Sequence, residues 1–180
     1  EIIIPTLNEL KKQNIEYEGF LYAGLMIDEN QVPYVLEYNC RLGDPEAQAI
    51  LMRLESDIID IFLATINKKL DDLEIKWKNE SACTIVLASE GYPGPYKKGI
   101  KIEGLDHEIN GTKVFHSGTK KKDGNFVTNG GRVISVTALG INLQVAQDAL
   151  YAAMTNGSGT SNVNPDPIEA SSIVASKINA

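Results

Sequence analysis

The run Glu37-Tyr38-Asn39-Cys40-Arg41-Leu42-Gly43-Asp44-Pro45-Glu46 constrains this chain more than any other stretch. It alternates polar and apolar residues at the period of a strand, then breaks into turn residues and a helix start. Residues two apart on a strand share a face. The alternation therefore predicts Glu37, Asn39 and Arg41 on one side, with Leu36, Tyr38, Cys40 and Leu42 packed on the other. A solvated strand face alternates in the same way, but Asn is a poor strand residue. A carboxylate oxygen and an amide oxygen suit Mg²⁺, which takes hard oxygen ligands and shares them with substrate phosphates, and Arg41 adds a cation for a phosphoryl oxygen. Gly43 permits a turn, Asp44 stands as the N-cap and Pro45 as the first helical residue. An Asp-Pro-Glu helix start also occurs for purely structural reasons, because acids favour the first turn. Combined with the polar strand, it reads as a site.

The 180 residues are 43% hydrophobic with a formal charge of −7, enough for one ordinary domain or two small ones. No apolar run approaches the roughly 20 residues needed to span a bilayer. The acidic start Glu1-Ile2-Ile3-Ile4-Pro5 lacks the basic flank of a secretory signal, so a cytoplasmic protein is expected. The negative charge argues against a nucleic-acid partner, which draws on clustered Lys and Arg. Lys120-Lys121-Lys122, followed by Asp123-Gly124-Asn125, reads as a solvated hairpin tip. Cys40 and Cys83 both lie in apolar strand-like runs, which predicts reduced core residues rather than a disulfide or zinc site.

The remaining patterns order the chain. Residues 5–14 predict a short amphipathic helix closed by Asn14, and Gly19–Ile27 and Pro33–Leu42 predict two strands joined by the turn residues Asp28 to Gln31. Ala47, Ile50, Leu51 and Leu54 recur at helical spacing, and Ser56-Asp57 caps a second helix through Ile58, Ile61, Phe62 and Ile66. Composition shifts to Lys, Asp, Glu and Asn between Lys68 and Ser81, which marks a domain boundary. Short strands then follow, at Ala82–Ala88, Ile100–Ile102, Lys113–His116, Asn125–Thr128 and Arg132–Thr137, punctuated by glycines. Asn142 opens a closing helix. Residues 156–162 have the composition of a flexible linker, and Ile168–Ile178 predicts a short helix.

On Glu37 to Glu46 the chain resembles the phosphoribosylamine–glycine ligases, ATP-grasp enzymes of purine biosynthesis. The likeness begins at Tyr17-Glu18-Gly19-Phe20-Leu21-Tyr22-Ala23-Gly24-Leu25-Met26 and passes through Ser56-Asp57 and Gly91-Tyr92-Pro93-Gly94. It continues through Phe115-His116-Ser117-Gly118-Thr119-Lys120 and Val127-Thr128-Asn129-Gly130-Gly131-Arg132-Val133, covering about residues 1–154. Glu-x-Asn-x-Arg alone is shared by many ATP-grasp ligases and carboxylases; the Gly-Asp-Pro-Glu continuation and the later motifs narrow the match.

The resemblance implies an α+β fold. Residues 1–72 are the carboxy-terminal part of an ATP-grasp core, 73–155 a small β-rich, barrel-like domain with a closing helix, and 156–180 a polar tail. It also implies a reaction: ATP phosphorylates glycine, and the amine of 5-phosphoribosylamine displaces the phosphate to give glycinamide ribonucleotide. The cofactors implied are ATP and Mg²⁺ or Mn²⁺. Glu37 and Asn39 match metal and nucleotide ligands, Arg41 a phosphate or acyl-phosphate clamp, and Asp44, also in a catalytic role, and Glu46 the glycine amine. His116, Thr119, Asn129 and Arg132 line the sugar-phosphate side, although His116 also reads as a plain strand residue and Asn129-Gly130-Gly131 as a turn. Two departures stand out. The family's amino-terminal lobes are missing, which implies a carboxy-terminal fragment, and the tail from Asn156 matches no family pattern. The competing readings are another ATP-grasp enzyme, such as a biotin-dependent carboxylase, and a non-catalytic binding module.

Overall fold

The computed structural model describes residues 2–105, 110–156 and 174–176. Helices and small sheets are mixed in two units, residues 1–44 with 55–77, and residues 45–54 with 78–180.

In the first unit, helix α1 (Ile3–Lys12) ends with Lys11 and Lys12 in its last turn, where cations suit the carbonyl end of the helix. Asn14 closes it at φ +57°, as its residue type predicts. Strands β1 (Tyr22–Ile27) and β2 (Pro33–Asn39) form an antiparallel hairpin. The turn is built by Asp28, whose Oδ1 accepts from the amides of Asn30 (2.9 Å) and Val32 (2.8 Å). Helix α3 (Ile58–Ile66) starts at Asp57, whose Oδ1 accepts from Ile59 N at 2.8 Å, while Ser56 Oγ instead accepts from Lys76 N at 2.7 Å. Phe62 of α3 meets Phe20 edge to face at 5.9 Å. Lys68 pairs with Glu18 at 2.9 Å and Glu16 at 3.7 Å, and the Glu18 bond above all raises its pKa. Little of this unit is buried: among the described residues, Ile61 is its one buried large apolar side chain.

The second unit holds the main core. Strands β3 (Ser81–Ala88), β4 (Thr112–His116), β7 (Arg132–Gly140) and β8 (Val174–Ser176) form an antiparallel sheet in the order β4-β7-β3-β8. Strands β5 (Thr119–Lys122) and β6 (Asn125–Thr128) make a separate hairpin. These sheets are open, so no closed barrel forms among the described residues. Cys83, Ile85, Leu87, Ile134, Val136 and Ala138 pack with Ala146, Leu150 and Met154 of the closing helix α4 (Leu143–Asn156). Asn142 caps that helix as expected, its Oδ1 accepting from Val145 N at 2.9 Å. Helix α2 (Glu46–Arg53), read from sequence as part of the first module, packs on β3 and β7 of this unit. Its Gln48 donates to Ser135 Oγ at 3.4 Å, and Thr84 and Thr137 share a buried hydroxyl bond of 2.9 Å.

Three sequence expectations change here. Ile100–Ile102 is not a regular strand but an irregular segment bonded along β6, through Thr128 N to Ile100 O and Ile102 N to Phe126 O, both 2.8 Å. Val174–Ser176, within the helix expected at Ile168–Ile178, is a strand on β3; the rest of that helix and most of the linker-like tail lie outside the described residues. Cys83 is buried, and desolvation pushes its thiol up, but Cys40 is exposed. The Cys40 thiol bonds the Tyr17 hydroxyl and raises that phenol's pKa.

Candidate functional site

Strand β2 carries Glu37 and Asn39. Asn39 Nδ2 donates to Glu37 Oε1 at 2.9 Å, so the two side chains meet on one face as the period-two pattern requires. Glu37 is exposed and Asn39 half-buried. Across the hairpin, Gly24 pairs with Glu37 and Tyr22 with Asn39. A Cβ at Gly24 would stand 3.0 Å from Glu37 Cγ, tighter than ordinary contact, so the bare glycine leaves room for the carboxylate stem. Sequence reasoning missed Gly24. Its signal was a glycine inside a strand, which marks close approach of another group.

The pair fits a hard divalent cation. Turning the Asn39 amide about its terminal torsion puts Oδ1 where Nδ2 now sits, giving two oxygens on one face. Among the described residues no three His, Cys, Asp or Glu gather as a metal set, so further ligands would be phosphate and water, the usual company of Mg²⁺.

Arg41 departs from the alternation. The strand ends at Asn39, and Arg41 lies beyond it in an exposed bend, where Nη1 donates to Leu42 O at 2.9 Å. That bond engages part of a five-donor fork. The expected apolar face is also not packed: Leu36 is 66% and Tyr38 43% exposed, and the Tyr38 hydroxyl reaches Thr6 Oγ1 at 2.7 Å. A hairpin whose faces are not both covered by a second layer does not bury its apolar residues by alternation alone.

The turn shifts by one residue. Pro45, at φ −101° and ψ 20°, is the N-cap of α2 and Glu46 its first residue, so Asp44 precedes the cap, and no side chain caps the helix. Asp44 is exposed and Glu46 half-buried, and Gly43 is buried without a left-handed φ.

In the second unit, three glycine-bearing loops close on one another. Gly118 N donates to Arg132 O at 2.9 Å and Asn129 N to Gly118 O at 2.7 Å. On the other side, Ser89 N donates to Gly131 O at 2.7 Å and Ser89 Oγ to Gly130 O at 2.8 Å. His116 ends β4, Thr119 opens β5 and Arg132 opens β7, so with Asn129 these residues flank the tied loops. His116 Nδ1 lies 3.0 Å from Thr119 Oγ1, and its ring sits 4.5 Å from Phe126. Ser89 went unnoticed in the sequence, and only the recurrence of glycine in both motifs hinted at close backbone packing.

Comparison with known proteins covers both units. Residues 1–47 match the phosphoribosylglycinamide synthetase ATP-grasp (A) domain and residues 82–162 the phosphoribosylglycinamide synthetase C domain. The chain is 53% identical over 152 residues to a phosphoribosylamine–glycine ligase of Vibrio vulnificus, covering 84% of the chain and 35% of the relative. Against the Escherichia coli ligase it is 48% identical over 157 residues, 86% of the chain and 37% of the relative. A crystal structure of the ligase from Thermotoga maritima superposes with a TM-score of 0.65 at 32% identity, covering 85% of this chain and 38% of that one. The chain thus spans little more than a third of the length of these relatives, and it belongs to the phosphoribosylglycinamide synthetase, or phosphoribosylamine–glycine ligase, family.

Proposed function

We propose that this chain is a carboxy-terminal portion of an ATP-dependent ligase that joins glycine to 5-phosphoribosylamine. The γ-phosphoryl group of ATP passes to a glycine carboxylate oxygen and ADP leaves. The sugar amine then attacks the acyl carbon, expelling phosphate and a proton and forming the amide of glycinamide ribonucleotide. Residues 1–72, apart from helix α2 on the β-rich side, belong to the ATP-grasp core, and 73–155 to the β-rich module. The work is cytoplasmic.

Glu37 and Asn39 hold Mg²⁺ or Mn²⁺, which neutralises phosphate charge when bound. Arg41 steadies a phosphoryl oxygen, and Asp44 and Glu46 take the glycine ammonium. His116, Thr119, Asn129 and Arg132 hold the sugar phosphate. Such transfers depend mainly on positioning and charge neutralisation rather than on a protein nucleophile.

The observation that carries this reading is the 2.9 Å approach of Asn39 to Glu37 on one strand face, with Gly24 clearing space opposite. The test is phosphate release by the full-length parent enzyme with glycine and 5-phosphoribosylamine, and with bicarbonate as the control substrate. Release that follows glycine is expected; release that follows bicarbonate refutes the reading in favour of a carboxylase.

A further inference from the structure

The segment Asn129–Arg132, which leads into β7, has its carbonyls tied to neighbouring segments. The carbonyls of Gly130, Gly131 and Arg132 accept from Ser89 Oγ, Ser89 N and Gly118 N, and the amide of Asn129 donates to Gly118 O. The aim of the Asn129 and Arg132 side chains depends on what fixes the peptide between them. At Gly131, which is buried, a Cβ would lie 2.1 Å from Tyr92 Cδ2 and 2.4 Å from Cε2. The Tyr92 ring thus fills the place of a side chain at residue 131. The ring is itself held, by Tyr92 N donating to Ser89 O at 3.0 Å and by edge contact with Tyr96 at 6.2 Å.

We propose that Tyr92 is a positioning residue for the sugar-phosphate side of the ligase: its ring, seated on Gly131, fixes the direction of Asn129 and Arg132. The inference rests on the reading above that these two side chains hold the sugar phosphate. The ring and not the hydroxyl carries the contact, since ring carbons occupy the space over Gly131. Loss of the ring frees the Gly131 peptide to shift, and errors of about 1 Å at a positioned group cost up to a hundredfold.

The test uses the full-length ligase with this carboxy-terminal sequence and the variants Tyr92→Phe, Tyr92→Ala, Gly131→Ala and Arg132→Ala. Tyr92→Ala should raise the KM for 5-phosphoribosylamine about tenfold or more, with kcat, the KM for ATP and Tm little changed, and Gly131→Ala, which must push the ring aside, should raise the same KM together with a loss of Tm. Tyr92→Phe should restore wild-type KM. If Arg132→Ala raises that KM but Tyr92→Ala and Gly131→Ala do not, the positioning role is wrong while the site reading stands. If Arg132→Ala also leaves it unchanged, the site reading itself fails. In Tyr92→Ala, a fall in kcat and Tm with a rise in every KM alike would make Tyr92 merely structural and would equally overturn the proposal.

Discussion

Gly118→Ala puts the packing of the glycine loops to a quantitative test. A Cβ at residue 118 would stand 2.5 Å from Arg132 O, 2.7 Å from Gly130 Cα and 2.9 Å from Gly130 N, all of them backbone atoms. Ordinary contact begins near 3.4 Å, so the two segments must part by close to 1 Å, and no rotamer change can absorb the clash. At that separation the bonds from Gly118 N to Arg132 O (2.9 Å) and from Asn129 N to Gly118 O (2.7 Å) exceed hydrogen-bonding distance. Each lost bond costs about 1 kcal/mol, and more where the orphaned group stays buried, giving about 2–4 kcal/mol in all. Gly124 is the control. Nothing lies within 4 Å of its Cβ position, but its φ is +79°, so alanine there costs only the left-handed penalty of about 1–2 kcal/mol. Urea unfolding followed by the far-UV signal reads both variants. A Gly118→Ala variant no less stable than Gly124→Ala would refute the close-packed loops.

Four further outcomes are expected. In the full-length parent, Glu37→Gln should keep Tm but cut kcat by a factor of about a hundred to a thousand, the scale of losing one charge-stabilising contact; wild-type turnover at saturating Mg²⁺ would remove Glu37 from the metal. Native protein should give one fast-reacting thiol, Cys40, while Cys83 reacts only on unfolding. Burial holds the Cys83 thiol above its ordinary pKa, so its contribution is complete below about pH 8.5 and shrinks as the pH rises; the stability difference between wild type and Cys83→Ala should narrow at alkaline pH. Calorimetry of this chain alone with ATP and Mg²⁺ should show only weak binding, since a phosphate site needs an enclosing, water-excluding cleft, and low-micromolar affinity would contradict that.

What was legible in the sequence was local. Asp28 and its hairpin turn, Asn14 in the left-handed region, the Asp57 and Asn142 caps and the convergence of Glu37 with Asn39 depend on neighbours within a few positions. What misled depends on partners remote in sequence. Cys40 looked like Cys83, but only Cys83 lies on a strand flanked by paired strands and covered by α4. Asp44 looked like a cap because Asp-Pro opens many helices; the backbone at Pro45 is not yet helical, so the helix begins one residue later. Short apolar runs do not separate strand from helix, and Val174–Ser176 took the edge of β3. The motif glycines 118, 130 and 131 read as turn chemistry, whereas their use is contact with one another and with Tyr92, which no local pattern reveals.

The two units should differ sharply in stability. The second buries Cys83, Ile85, Leu87, Val136 and Leu150 at 2–3% exposure or less, between paired strands and a 14-residue helix. The first rests on a two-stranded hairpin in which Leu25, Met26, Tyr34, Val35 and Leu36 are 42–66% exposed, and on helix α3, apolar around much of its surface, with Leu63 at 52% and Ile66 at 71%. An isolated hairpin is marginal in water, and a helix apolar on several sides needs cover that this unit does not supply among the described residues. Apolar burial contributes about 25 cal/mol per Å², so a unit that leaves these side chains in water has little to set against chain entropy. Hydrogen exchange on this chain should therefore find amides of β1 and β2 exchanging through local opening, far faster than those of β3 and β7. Dyes that bind exposed apolar surface should bind this unit. Equal protection of β1–β2 and β3–β7 would mean that the hairpin is stable without any further layer, and the inferred need of β2 for a covering layer would be wrong.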